Sequence, residues 1–249
     1  PVVQFGGKIP FMVTDIIEQL RHIHAENTEG IFRLSTNQNT LRDLESRLGA
    51  GDREIVSSNK DPILLSCLLK LYFRNISHID PILAEENYEL FVALAQIDDE
   101  SVIVTRLHDV VMLIDEPRRV TLSYLMKYLH EVSLNNEKNK MTAQNLAICF
   151  APILLASITK DELTVARENP EQVKAVRFMI EHCGLVFEDV SVSEDHFMTQ
   201  DEIERVGQIT LTKESLIRIA QRASYRRRSF IPYTPPQYFG VSSFSRPTL

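Results

Sequence analysis

Arg33 lies in the run Thr28-Glu29-Gly30-Ile31-Phe32-Arg33-Leu34-Ser35, on a short loop opened by a glycine and following an amphipathic stretch. A guanidinium is permanently charged and presents its donors as a rigid fork, so an arginine on such a loop can be offered to a phosphate held by another molecule. Two further cations, Lys70 and Arg74, stand four residues apart in Leu68-Leu69-Lys70-Leu71-Tyr72-Phe73-Arg74 and therefore share one helix face. Asn139 and Asn145 belong to the run Asn139-Lys140-Met141-Thr142-Ala143-Gln144-Asn145-Leu146-Ala147-Ile148-Cys149-Phe150-Ala151-Pro152, and each amide offers both a donor and an acceptor. The chemistry open to these residue types is stabilisation of charge on phosphoryl oxygens, with polar groups around it to position a partner.

Other chemistries find no residue cluster. The seven histidines are scattered, and none pairs with a serine or cysteine in a local signature of nucleophilic catalysis. Cys67, Cys149 and Cys183 lie far apart in apolar helical patterns, without a Cys-x-x-Cys pair or a histidine at metal spacing. They are expected to be buried thiols, and no metal or cofactor is expected. The eight glycines nowhere form a phosphate-cradling loop, so a nucleotide would arrive bound to a partner. A chain of 249 residues with 44% hydrophobic and 24% charged residues can build one sizeable core plus an extension. No apolar run is long enough to span a membrane, and the start lacks the pattern of a signal peptide, which points to the cytoplasm. Charge is uneven. Lys213 to Leu249 carries seven basic residues and one acid, net +6, leaving 20 basic against 33 acidic residues, net −13, in residues 1–212. So acidic a body is a poor nucleic-acid binder.

Helical periodicity dominates the elements that must carry these residues. Ile16, Ile17, Leu20 and Ile23 form the apolar face of a first helix ending near Asn27, and Leu41, Leu44 and Leu48 mark a second, capped by Ser35 or Thr36 and stopped by Gly49 and Gly51. Asp61-Pro62 is a strong start signal for a helix to Arg74. Further helices are expected over Glu85–Ile97, Ser101–Ile114, Thr121–Leu134, Thr142–Leu155 and Pro170–Phe187, punctuated by Pro117, Pro152 and Pro170. Thr142 can cap its helix, with Leu146, Ile148 and Phe150 feeding the core. Only Val2 to Phe5 allows a short strand.

Three of these runs resemble the Rho GTPase-activating (RhoGAP) domain family: the Arg33 loop, the Leu68–Arg74 helix and, most specifically, Asn139 to Pro152. Ile9-Pro10-Phe11-Met12-Val13 is similar to the start of that domain, and the resemblance covers roughly residues 5–188. It implies an all-α fold, a RhoGAP-like bundle of about nine helices, with residues 189–249 as a C-terminal extension. It also implies a GTPase-activating protein for a Rho-family small GTPase in its GTP-bound form, of Rho, Rac or Cdc42 type. Arg33 would be an arginine finger supplied in trans. Lys70 would contact the GTPase, Arg74 would brace the finger loop through its backbone carbonyls, and Asn145, joined by Asn139, would sit at the interface. The rival implied by the same fold is a GTPase-binding scaffold module with little activating activity. On either reading the chain is not itself an enzyme. Departures from the family pattern are the long Asn75–Leu83 connection, Ala151 and Ile153 around Pro152, and Thr36; they bear on which GTPase is preferred.

The extension has its own signals. Ile203 to Arg222 reads as one more helix, Arg226-Arg227-Arg228-Ser229 has the form of a basophilic-kinase site, and Pro235-Pro236-Gln237-Tyr238 matches ligands of WW domains. The basic run also suits an anionic membrane surface, which would recruit a cytoplasmic domain to its anchored partner.

Overall fold

The computed structural model describes residues 9–77, 81–83, 85–157 and 160–192, all within the first of the two units, Pro1–Gly207 and Gln208–Leu249, into which the chain divides. Val2 to Phe5, Ile203 to Arg222, Ser229 and Pro235 to Tyr238 lie outside these residues. Among the described residues the elements are helices: α1 (Phe11–His22), a 3-10 turn (Ala25–Asn27), α2 (Gln38–Gly49), α3 (Glu54–Ser57), α4 (Pro62–Ile76), α5 (Glu85–Ala95), α6 (Glu100–Leu113), α7 (Glu116–Leu134), α8 (Asn136–Asn139), α9 (Ala143–Leu154), α10 (Glu162–Glu181) and α11 (Cys183–Val186). The fold is all-α, as expected, and three of its helices are single turns.

Helix starts follow from capping chemistry. Asp61 accepts from the N–H groups of Ile63 (2.9 Å) and Leu64 (3.1 Å), and Pro62 occupies the first helical turn of α4, where a missing N–H costs nothing. Thr142 accepts from the Asn145 N–H at 3.2 Å and so opens α9. For α2 the cap is Asn37 rather than Ser35 or Thr36. Its Oδ1 takes the N–H groups of Asn39 (2.8 Å) and Thr40 (3.3 Å), and it stands closer to Leu41, the first buried residue of the helix.

Two prolines lie inside helices: Pro152, within the expected bounds, and Pro170, expected at a helix start. Pro170 sits within α10, which begins eight residues before the expected start because Asp161 caps it, accepting from Leu163 and Thr164 at 3.0 Å each. Pro152 lies in the last turn of α9. A strong cap and a buried face outweigh the one backbone hydrogen bond each proline removes.

Among the described residues the core is one cluster. α1 buries Val13, Ile16, Ile17 and Leu20, and α4 buries Leu65, Leu68 and Leu69. α1 packs on α4 and α7, α4 on α9, α7 on α9, and α10 on α9, α5 and α7. Through the α4–α9 and α7–α9 packing the bundle fixes the helices that carry Lys70, on α4, and Asn145, on α9.

Candidate functional site

Arg33 is placed by a loop with an unusual backbone. Gly30 has φ +72° and Phe32 has φ +64°, so two of three consecutive residues are left-handed. At Gly30 the glycine is required twice over: any other residue would strain this φ, and its Cβ would lie 2.8 Å from Leu34 Cγ. At Phe32 a bulky residue takes a conformation that costs roughly 1–3 kcal/mol. Burying a phenylalanine ring returns a similar amount, roughly 1.5–3 kcal/mol. Phe32 is fully buried, edge-on to Phe150 at 5.1 Å and to Tyr128 at 6.2 Å.

Backbone and side-chain bonds hold the same turn. The N–H groups of Arg33 (2.9 Å) and Leu34 (2.8 Å) both donate to the Gly30 carbonyl, and the Gly30 N–H donates to the Asn139 carbonyl at 2.8 Å. The Lys70 ammonium donates to the Phe32 carbonyl. The Cys67 thiol lies 3.5 Å from the Leu34 carbonyl oxygen. The Arg33 side chain is exposed and makes no hydrogen bond or ion pair among the described residues.

Around this loop the expected residues fall into different places. Lys70 is half-buried and its bond goes to the loop carbonyl, the contact expected of Arg74. Arg74, one helical turn further along α4, is exposed, and its side chain bonds no loop carbonyl among the described residues. Asn139 is fully buried, which removes it from any docking surface. Its Nδ2 donates to the carbonyls of Glu26 and Val132, both at 2.7 Å, and its Oδ1 accepts from Met141 N at 2.7 Å. It thereby ties the turn before the Arg33 loop to α7 and to the entrance of α9. Asn145 is half-buried on the outer face of α9, with Nδ2 donating to the Lys140 carbonyl at 3.0 Å. Left-handed geometry marks the same neighbourhood: among the described residues, the non-glycine residues with positive φ are His24, Phe32 and Lys140, at the loop's approach, its centre and the run into α9.

Two positions on α9 differ from expectation. Ile148 is 54% exposed instead of feeding the core, and Cys149 is half-buried while Cys67 and Cys183 are buried. Helical rotation is the reason: at about 100° per residue, position 148 points nearly opposite to 146 and 150. Burial pushes the Cys149 thiol up, and the charges of Lys70 and Arg33 oppose that shift, which places all three in one neighbourhood. Beside Ile148 a cleft of about 400 Å³ runs between α9 and α10, lined by Gln144, Pro170, Val173, Lys174 and Arg177 among others. Rotation arithmetic on α9 would have found this face from the sequence. The left-handed Phe32 carried no such signal. Among the described residues no group of His, Cys, Asp or Glu could hold a metal ion, and no helix is long and apolar enough to cross a membrane.

Known proteins agree with this architecture. Beta-chimaerin from Mus musculus is 31% identical over 181 residues, 71% of this chain and 53% of that protein. Rho GTPase-activating protein 25 from Homo sapiens is 29% identical over 183 residues, 72% of this chain and 28% of its own length. The chain thus spans about a quarter to a half of these relatives. The crystal structure of human Rho GTPase activating protein 15 shares the fold, with a TM-score of 0.64 at 23% identity, covering 72% of this chain and 83% of that one. The RhoGAP domain model matches residues 10–159, a span that holds the Arg33 loop, the Lys70 helix and the Asn139–Asn145 run together, and the chain belongs to the RhoGAP domain family.

Proposed function

We propose that this chain accelerates GTP hydrolysis by a Rho-family small GTPase in its GTP-bound form, inserting Arg33 into the partner's phosphate site. The observation that carries the reading is an arginine with no partner of its own among the described residues, on a loop whose backbone is fixed from four sides. Gly30 bonds the Asn139 carbonyl, Phe32 is buried, Lys70 holds the Phe32 carbonyl, and Arg33 and Leu34 close on Gly30. Phosphoryl transfer builds charge on oxygens that the GTPase neutralises incompletely, and a cation placed there in trans is worth roughly 10³ to 10⁵ in rate. At about 1.4 kcal/mol per decade this is about 4–7 kcal/mol of barrier. A finger fixed before docking loses little entropy on insertion, which is why the bracing matters as much as the charge.

Docking belongs to the exposed face around it: Leu34, Arg74, Asn145 and Ile148, with Lys70 partly in support. The relatives named for Rho GTPase activation favour the same reading over a scaffold without activity. The test is single-turnover GTP hydrolysis by Rho, Rac and Cdc42 types with parent, Arg33→Ala and Arg33→Lys chains. Parent stimulation of at least one GTPase, lost in Arg33→Ala and largely lost in Arg33→Lys, is expected, since an ammonium cannot reproduce the guanidinium fork. Equal rates for parent and Arg33→Ala would remove the finger.

A further inference from the structure

Phe32 is the residue whose local preference and observed conformation conflict most. A phenylalanine gains nothing from φ +64°, and glycine or asparagine would take that backbone at lower cost. An aromatic ring at this position has to be explained by what the ring does. It lies in the core, fully buried, in T-shaped contact with Phe150 from α9 and Tyr128 from α7. Its own carbonyl points to the Lys70 ammonium on α4. Three helices therefore converge on one residue, and that residue directly precedes Arg33.

We infer that Phe32 is a positioning residue for Arg33: its ring, clamped between α7 and α9, holds a left-handed turn that sends the next side chain outward. An inward side chain at 32 in this conformation forces the Arg33 side chain out of the loop, where it stands exposed. Glycine at 32 would suit the backbone but would leave the loop free to populate other turns, with Arg33 correctly aimed in only a fraction of them. The apparent rate would fall by that fraction while docking on the surrounding face continued. The inference rests on the reading of Arg33 as a finger, and it predicts a specific division between turnover and binding.

The experiment compares Phe32→Gly and Phe32→Leu with the parent chain. Stimulated hydrolysis is measured at saturating chain, and affinity for the GTP-bound GTPase is measured separately, with the binding-competent fraction set by stoichiometric titration below the melting temperature. Maximal rate is expected to fall roughly ten- to a hundred-fold in Phe32→Gly, because misplacing a reacting group by about 1 Å costs on that order. Affinity should stay within a few-fold. Phe32→Leu, which keeps an apolar side chain in the core, should lose less rate and serves if the glycine variant does not fold. In an Arg33→Ala background neither change should lower the residual rate further. Parental maximal rates in folded Phe32→Gly and Phe32→Leu, or an equal loss with and without Arg33, would overturn the positioning role while leaving the finger intact. A parent chain that stimulates none of the three GTPases would overturn both.

Discussion

Two arginines twelve positions apart show how differently this fold uses the same side chain. Arg21, at the end of α1, is fully committed. Its guanidinium donates to Glu131 at 2.9 and 2.7 Å, to Glu18 at 2.8 Å and to the Tyr124 hydroxyl at 3.3 Å, and it lies 5.4 Å from the ring centres of both Tyr124 and Tyr128. Arg33 has no such partner among the described residues. The contrast extends to the backbone: Arg21 sits in regular helix, Arg33 follows a strained residue. A cation that holds the fold together satisfies its donors internally. Arg33 leaves its own open among the described residues, and its surroundings direct their bonds to the backbone beneath it. Tyr128 links the two regions, facing Arg21 on one side and Phe32 on the other.

The sharpest way to break this comparison is to remove each arginine in turn. Arg33→Ala should lower stimulated GTP hydrolysis roughly 10³- to 10⁵-fold. Its melting temperature should stay within a degree or two, since no described bond is lost. Arg21→Ala should do the reverse. Loss of a half-exposed bidentate pair and two ring contacts should cost about 1–3 kcal/mol in urea unfolding, with maximal hydrolysis near the parental rate. If both variants lost stability and rate together, the division into structural and offered arginines would fail.

Asn139 sharpens the comparison from the other side, being wholly internal yet bonded to the entrance of the Arg33 loop. Asn139→Ala leaves the Glu26 carbonyl and the Met141 N–H without this partner and the Val132 carbonyl with the Asn135 N–H alone, at a cost of about 2–4 kcal/mol. In a domain of this size that lowers the melting temperature by roughly 5–15 °C. Lys70→Met should cost less stability, about 1 kcal/mol, because the Phe32 carbonyl then faces a half-exposed position that water can reach. Its maximal rate should still fall several-fold if the bond to Phe32 steadies the finger. Thermal melts and single-turnover rates on the same samples check both variants.

The sequence carried most of the helices because buried positions at 3-to-4 spacing are hard to disguise, and it carried the starts of α4 and α9 because Asp61, Pro62 and Thr142 act over two or three residues. What it could not carry depends on distance. Lys70 and Arg74 share a face, but which of them reaches a loop from residue 30 onward depends on how that loop docks on α4. Asn139 appeared eligible for an interface because nothing local announces that α7 and the Glu26 turn enclose it. Phe32 defeats local inference altogether, since a bulky side chain argues against the left-handed backbone that the core imposes. Ile148 is different: its outward position follows from helical rotation alone, and an alternating reading of Leu146, Ile148 and Phe150 hid it.

The smallest expected effect separates the two regions by pH. Burial, and then the bond to Glu18, push the Tyr124 phenol well above its ordinary value, and burial pushes Tyr128 up as well. Both phenols are therefore held protonated in the folded chain. A raised acid contributes stability that is complete below the unfolded value of about 10 and is lost as pH climbs toward the folded one. Urea midpoints should fall from about pH 10 upward. Tyr124→Phe should flatten that fall by at most about 1 kcal/mol between roughly pH 10 and 11. Arg33→Ala should leave the profile unchanged, because the tyrosines' charged neighbours are Glu18, Arg21, Glu26 and Glu131, not Arg33. A steeper loss in Arg33→Ala would mean that the Arg33 loop and the Arg21 cluster are coupled through Tyr128 and Phe32, and the two arginines would no longer be independent uses of one side chain.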